Sequence, residues 1–189
     1  MKPSTILFSI SGRVAALLLF VMAITGCGTV DTLFSLMAAD DADAPIYVEV
    51  GDGYPAYIFP ASTAASSGAH YLLNNGDTAT YWTPTAADVE LAEQAFQTEV
   101  TRQLAVTSPM EGHQTPIEEV HALIPDYYRQ FFGFIQDGER QIYGTYFCQN
   151  IPGWGETLMM VEDGGACVVE WIYNMDDGSI PMFMIHGQA

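Results

Sequence analysis

Hydroxyl and imidazole side chains that could cooperate in hydrolysis lie close together at residues 62–70. The segment reads STAASSGAH and contains three serines and one histidine, namely Ser62, Ser66, Ser67 and His70. A serine nucleophile is normally presented on a G-x-S-x-G turn or activated by a lysine in an S-x-x-K motif. The segment has neither arrangement, and the only lysine of the chain is Lys2. We therefore predict a flexible loop here and no catalytic serine.

Side chains that could bind a metal occur in two groups. The segment EGHQTPIEEVH contains His113, Glu118, Glu119 and His121. It lacks the H-E-x-x-H pattern, and zinc needs three or four converging ligands. The second group consists of aspartate runs without EF-hand spacing, formed by Asp40, Asp41, Asp43, Asp176 and Asp177. We predict no metal, no cofactor and no catalytic residue. Glu162 and Glu170 could share a sheet face, and His186, near the end of the last strand, is expected to be a packed or surface histidine.

The first residues have the pattern of an export signal. Lys2 and Arg13 precede an apolar run, VAALLLFVMAI, which leads through two small residues to Cys27. A charged start, an apolar stretch of about a dozen residues and a small-residue exit are typical of secretory signals. The run is too short for a spanning helix, which needs roughly 20 apolar residues. We therefore predict that residues 1–26 are removed on export.

The exit sequence Ile24-Thr25-Gly26-Cys27 resembles the lipobox, or type II signal, of bacterial lipoproteins. The resemblance implies that the Cys27 thiol is diacylated and that the chain is cut before it. It covers only the signal and implies nothing about the rest of the chain. The alternatives are an ordinary cleaved signal with an accidental cysteine, or an uncleaved anchor.

A lipid-anchored chain would face the periplasm from a membrane of the bacterial cell envelope. Two or three acyl chains give stable attachment, whereas one chain binds only marginally. Gly28, rather than aspartate, follows the cysteine, which favours the outer membrane over the inner one. We predict three parts: the signal at 1–26, a lipidated acidic tether at 27–45 and a single α+β domain at 46–189.

The predicted mature chain is strongly acidic. All 23 carboxylates follow Cys27, but only Arg102, Arg129 and Arg140 remain to balance them, for a net charge near −20. Nucleic acid binding depends on lysine and arginine at phosphates, so we exclude a nucleic acid partner. The same charge excludes electrostatic docking on anionic lipid. It is explained either by solubility, which the scattered carboxylates favour, or by attraction to a cationic partner or to divalent ions.

Two segments carry helix signals. Thr85 can cap a helix, with Asp88 three residues later, and an apolar stripe follows at spacings of three and four: Val89, Ala92, Phe96, Val100 and Leu104. This pattern predicts a helix over about 86–105. Thr115, Pro116 and Glu118 predict a second helix, which Pro125 ends.

The chain from Tyr127 onward predicts strands. Asp137-Gly138 is a two-residue hairpin turn, which places Gln136 opposite Glu139. The same register puts Phe131 opposite Gly144, and Arg129 opposite Tyr146 in cation–π distance. Upstream of the helices we expect only short strands, at 46–50 and near 56–59 and 80–82, within loops.

A second hairpin is predicted from residues 157–163 and 166–174, with a last segment, containing Pro181, at a sheet edge. Together these elements predict an α+β domain in which one long helix packs on a four-stranded antiparallel meander. In outline this fold is similar to cystatin-like and nuclear-transport-factor-like folds. The similarity is architectural and implies no function.

Cys148 and Cys167 give conflicting signals. An oxidising envelope favours a disulfide between them. The predicted meander separates them by two strands and places them near opposite sheet ends, whereas bridged Cα atoms lie within about 7 Å. A bridge and two free thiols both remain open.

Both faces of the predicted sheet carry apolar side chains, yet the long helix can cover only one face. The second face could be covered by residues 46–84 or by the short helix, or it could receive a partner. Its contact residues would be Phe132, Phe134, Trp154, Met182 and Met184. We expect a binding or assembly module with an envelope protein partner; the alternative is an envelope hydrolase with a site between helix and sheet.

Overall fold

A computed structural model describes residues 43–73, 80–107 and 114–187. The predicted signal, Cys27 and most of the tether lie outside these residues. The described helices and strands are β1 (Ile46–Val50), β2 (Tyr54–Ile58), α1 (Ala61–Ser66), α2 (Ala69–Leu72), β3 (Thr80–Trp82), α3 (Ala86–Val106), α4 (Pro116–Leu123), β4 (Tyr128–Gln136), β5 (Glu139–Phe147), β6 (Val168–Asn174) and β7 (Met182–Ile185).

The described strands form one mixed sheet of seven strands. Six of them follow the order β1-β2-β4-β5-β6-β7, and β3 pairs with β4 outside this path. β2 runs parallel to β4, with Ala56 opposite Arg129. β3 pairs antiparallel with the next part of the same β4 edge, where Trp82 lies opposite Gly133. The predicted four-stranded antiparallel meander with a cystatin-like outline is therefore wrong, because three strands from the first half of the domain join the sheet through β4.

Two segments account for most of this error. In residues 51–84 the short strands expected near 56–59 and 80–82 are present as β2 and β3, but they were not expected to join the main sheet, and the helices α1 and α2 between them were not predicted. Residues 157–163 were predicted to be a strand, but they form an irregular segment outside the sheet. β5 consequently pairs directly with β6, with Phe147 opposite Val168.

Local predictions within this fold are confirmed. The β4–β5 hairpin has the predicted register, with Gln136 opposite Glu139 and Phe131 opposite Gly144. The Arg129 guanidinium carbon lies 5.0 Å from the centroid of the Tyr146 ring. α3 and α4 both begin with capping boxes, at Thr85 and Thr115. These features depend on residues close in sequence, so the local pattern is sufficient to predict them.

α3 covers one face of the sheet. Its stripe of Val89, Ala92, Phe96 and Val100 is completely buried. The Phe96 ring packs at centroid distances of 4.7 Å from Tyr146 and 5.3 Å from Trp171. α3 has 21 residues, but none of the helices in the described ranges combines the length and apolar character needed to cross a bilayer.

The second face is covered by α1, α2 and the segment after β5. A separate apolar cluster lies here, formed by Phe59, Ala64, Ala69, Leu73, Phe132, Phe134, Tyr143 and Leu158. The sheet is thus the middle layer of the described domain, with α3 on one side and two short helices on the other.

Cys148 and Cys167 form a disulfide, with their Cα atoms 4.9 Å apart. Cys148 directly follows β5, and Cys167 directly precedes β6. Because these two strands are antiparallel neighbours, the end of one meets the start of the next. The geometric objection to a bridge came from the strand wrongly predicted at 157–163.

We expect the fold to unfold cooperatively in alkali, because Tyr127, Tyr143 and Tyr146 are completely buried. Burial raises the pKa of each phenol above its ordinary value of 10.0, with Glu170 adding to the effect at Tyr143 and Glu93 at Tyr146. Below pH about 10 the three phenols are protonated in both the folded and the unfolded protein, so they do not lower the unfolding free energy there. Above it the unfolded state loses protons first, and each tyrosine lowers the unfolding free energy by up to about 1.4 kcal/mol per pH unit.

Absorbance of phenolate and circular dichroism would be followed together from pH 8 upward. The two signals should change together for these three tyrosines, and Tyr127→Phe should make the stability curve less steep. Ionisation of all 10 tyrosines near pH 10 with a native circular dichroism spectrum would contradict this prediction.

Candidate binding surface

The five residues predicted to form a partner face have different environments. Phe132 and Phe134 are completely buried under α1 and α2, so the centre of the second face is not open. Met182 and Trp154 are half-buried, and Met184 is 41% exposed at the β7 edge. The alternative in which residues 46–84 cover this face therefore holds at the two phenylalanines.

A row of aromatic rings crosses the second face at the end where β4 begins and β5 ends. It consists of Tyr47, Tyr57, Trp154, Tyr128 and Phe147, which we call the aromatic strip. Neighbouring ring centroids are 5.5 Å apart for Tyr47–Tyr57, 4.7 Å for Tyr57–Trp154 and 5.0 Å for Trp154–Tyr128, each nearly perpendicular. Tyr128 stacks on Phe147 at 6.0 Å. Tyr47 is 52% exposed, so the strip opens to solvent at β1.

Trp154 belongs to an irregular segment, residues 149–164, that crosses the second face and is called the strap here. Gln130, completely buried on β4, holds the strap through its side-chain amide. Its Nε2 donates to the carbonyls of Trp154 and Thr157, the latter at 2.8 Å, and its Oε1 accepts from the Met159 N–H at 2.7 Å. The amide is thus satisfied entirely by strap backbone, which fixes the position of the Trp154 ring.

Gly155 lets the strap approach the strip closely. A Cβ at this position would lie 2.6 Å from Cζ of the Tyr57 ring, closer than nonbonded carbon atoms can come. The glycine therefore allows the Tyr57 ring to pack directly under the strap backbone, beside Trp154.

No arginine side chain of the described residues lies free near the aromatic strip. Arg129 is completely buried with Glu93, and Arg102 bonds Glu99 at 2.6 Å. Arg140 lies 5.2 Å from the Trp82 ring centroid, at the opposite end of β4 and β5. At the exposed end of the strip, the Tyr47 hydroxyl donates to a carboxylate oxygen, Glu49 Oε1, at 3.4 Å. Desolvation, together with Glu49, raises the pKa of Tyr47.

A small pocket of about 160 Å³ adjoins the Phe147 end of the strip. It lies between the strap and the ends of β5 and β6, beside the disulfide. Its walls are mostly apolar, with one carboxylate, and include Phe147, Gln149, Ile151, Val161, Asp163 and Val168. The pocket extends the strip and adds no cluster of reactive groups to it.

A cluster of polar side chains, formed by Glu170, His186 and Tyr143, lies under the strap. His186 Nδ1 lies 2.9 Å from the carbonyl oxygen of Glu162. Because a carbonyl only accepts, Nδ1 carries a hydrogen. His186 Nε2 lies 3.3 Å from Glu170 Oε2, within ion-pair distance although not aligned as a hydrogen bond. Glu170 is only 5% exposed and Tyr143 is completely buried, so the cluster joins strap, β6 and β7 inside the protein.

The polar residues between helix and sheet also bond one another. Glu93 and Arg129 are completely buried and 3.2 Å apart. Glu93 also accepts from the Tyr146 hydroxyl and from Gln97 Nε2 at 2.9 Å. Arg129 donates to the carbonyls of Tyr127 and Ile124. These groups are satisfied by the protein, and their arrangement does not support a substrate site at this interface.

The remaining chemistry-bearing residues have local roles. Ser62 Oγ donates to Asp43 Oδ1 at 2.5 Å, and Ser66 and Ser67 bond nearby helix carbonyls. The segment forms α1 and α2, so the prediction of a flexible loop is wrong. Glu118 caps α4, and His113 lies outside the described residues. Sequence reasoning missed Tyr47, Tyr57 and Tyr128, which only the cross-strand pairing of β1, β2 and β4 brings beside Trp154.

Comparison of this chain with known protein families, curated proteins and solved structures gives no match. The case for a function therefore depends on the geometry of the aromatic strip and on the sequence signals that precede it.

Replacing Gln130 by leucine should release the strap. The variant leaves the carbonyls of Trp154 and Thr157 and the Met159 N–H without their partner, which we expect to cost about 2–4 kcal/mol of unfolding free energy. Chemical denaturation would measure this loss, and tryptophan emission would shift to longer wavelength as Trp154 becomes more exposed. Gln136→Leu, on the same strand near the hairpin turn, is the control and should change stability by less than about 0.5 kcal/mol. Equal, small effects for both variants would show that Gln130 does not hold the strap.

Proposed function

We propose that this chain is a lipid-anchored protein of the bacterial cell envelope that acts as a binding or assembly module. The lipobox-like sequence ending at Cys27 and the short apolar run before it support the anchor. The acidic, lysine-free mature sequence supports attachment by acyl chains rather than by charge. The outer membrane is the favoured location, because Gly28 follows the cysteine.

The observation that carries the binding role is the aromatic strip. Tyrosine and tryptophan supply large apolar contact areas with polar tips, and they are enriched where proteins bind partners. Tyr47 is half exposed, and Tyr57, Trp154 and Tyr128 are each partly exposed. A rigid, partly exposed row of four such rings is more than the packing of the sheet requires, since the Phe132 cluster already fills the second face.

The strip also lies close to the tether. Asp43, at the end of the tether, accepts hydrogen bonds from Ser62 and Thr63 of α1. β1 begins three residues later, and Tyr47 is its second residue. The described end of the tether, residues 43–45, thus lies beside the open end of the strip.

The arrangement favours binding over hydrolysis. In the described residues, histidine, carboxylate and phenol meet at His186, Glu170 and Tyr143, where Glu170 and Tyr143 are buried. The Glu93–Arg129 pair between helix and sheet is likewise buried and fully bonded. A hydrolase needs such groups at a surface that substrate reaches.

Site-specific photocrosslinking in the native cell would test the role. A photoreactive residue would replace Tyr47, which is 52% exposed in the strip, or Leu91, which is 50% exposed on α3. We expect a discrete covalent adduct from position 47 and none from position 91, because only the strip contacts the partner.

The same pair of positions in a Cys27→Ser background separates anchoring from binding. This variant should accumulate as an unprocessed precursor and lose the adduct or form much less of it. Absence of an adduct at position 47 in the processed chain, or equal adducts at both positions, would contradict the proposed role. Normal processing of Cys27→Ser would contradict the anchor.

A further inference from the structure

The hydrogen-bonding direction of β1 follows from a proline in β2. Glu49 lies opposite Pro55 in the antiparallel β1–β2 pair. Opposed residues in such a pair either exchange two N–H···O bonds or direct all these groups away from each other. Pro55 has no N–H, so the Glu49–Pro55 pair is of the second kind. The N–H and C=O of Glu49, and those of Tyr47 two residues before it, therefore point away from β2.

The other side of β2 confirms this alternation. The Phe59 N–H donates to the Phe131 carbonyl at 2.8 Å. Odd-numbered residues at this end of β2 thus direct their backbone groups toward β4, and even-numbered residues direct theirs toward β1. Val48, opposite Ala56, is bonded to β2, while Tyr47 and Glu49 face the outer edge.

The outer edge of β1 carries few features that prevent pairing with another strand. Edges are normally blocked by proline, bulges or lysine. A proline directly precedes β1 and β7 alike, Pro45 in the first case and Pro181 in the second. β1 has no proline within its five residues and pairs with β2 without a bulge over all of them. Ile46 and Tyr47 are 47% and 52% exposed on it.

The charges near this edge select the partner. Glu49 is exposed beside the Tyr47 ring, and Asp43 and Asp52 lie just before and just after β1. The three arginines are engaged elsewhere in the described domain. A carboxylate next to an exposed aromatic ring suits an arginine or lysine side chain, through an ion pair and a cation–π contact.

We propose that β1 receives an extended, basic polypeptide segment as an additional strand. Its backbone would pair with the outward N–H and C=O groups of Tyr47 and Glu49, and an arginine or lysine would lie over the Tyr47 ring beside Glu49. This proposal rests on the binding role proposed above and specifies its partner. Strand addition of this kind gains affinity from the main chain and specificity from alternate side chains.

Tyr47→Pro and Tyr47→Ala form the decisive pair of variants. Both remove the ring, but only proline removes the outward N–H, and the β1–β2 bonds do not use that group. The probes are two seven-residue peptides, one alternating arginine with valine and one alternating glutamate with valine. Calorimetric titration of the full-length chain in detergent would measure their affinities.

We expect the arginine peptide to bind and the glutamate peptide not to bind. Tyr47→Pro should weaken binding at least tenfold relative to Tyr47→Ala, and Glu49→Gln should weaken it about threefold and reduce its salt dependence. An unchanged circular dichroism spectrum would show that each variant folds.

Equal affinities for Tyr47→Pro and Tyr47→Ala would overturn strand addition, because the backbone donor would then be irrelevant. Absence of binding by the arginine peptide, or equal binding of both peptides, would overturn the basic partner. Neither outcome affects the photocrosslinking test, so the binding role itself can stand or fail separately.

Discussion

A polar side chain buried in a sheet must find hydrogen-bond partners inside the protein, and at two adjacent residues of β4 this requirement positions both covering layers. Arg129 points to one face and bonds Glu93 of α3. Gln130 points to the other face and bonds three backbone groups of the strap. Leaving either group unpaired would cost several times the net gain of an ordinary hydrogen bond. Helix and strap therefore have one favourable position relative to the central strand.

This constraint shapes the surface that we assign to binding. With Gln130 bonded to the strap, the Trp154 ring lies between the rings of Tyr57 and Tyr128, at centroid distances of 4.7 Å and 5.0 Å. The free end of the strip is Tyr47, on the edge strand that follows the tether. The described end of the tether, the edge strand and the aromatic surface are thus joined within a short length of chain, and the acidic residues around them disfavour anionic partners.

Sequence patterns predicted the parts of the fold that depend on near neighbours. Asp137-Gly138 determined the register of the β4–β5 hairpin, and Thr85 with Asp88 marked the start of α3. The pattern could not show that β2 runs parallel to β4, because that pairing joins residues about 70 positions apart and β2 is a five-residue strand with an internal proline. Phe131 lies opposite Gly144 as predicted, but the atoms nearest to a Cβ at this glycine belong to the Trp171 ring, at 2.5 Å, so the ring packed closest to it comes from β6.

The binding surface was only partly predictable. Trp154 was among the residues predicted for the partner face, and it does lie in the strip. The tyrosines beside it depend on long-range strand order, and the role of Gln130 depends on carbonyls of a segment that resembled a strand. Phe132 and Phe134 were considered for an open face because both sheet faces are apolar and the long helix can cover only one. The alternative, cover by residues 46–84, holds at these two residues.

Hydrogen exchange of single amides along β1, followed by NMR in the full-length protein, tests the central claim most directly. The account predicts slow exchange at Val48, whose N–H bonds β2, and fast exchange at Tyr47 and Glu49, whose N–H groups face the outer edge. Exchange at Tyr47 and Glu49 as slow as at Val48 would mean that the outer edge is already paired. β1 could not then be the surface that receives a partner.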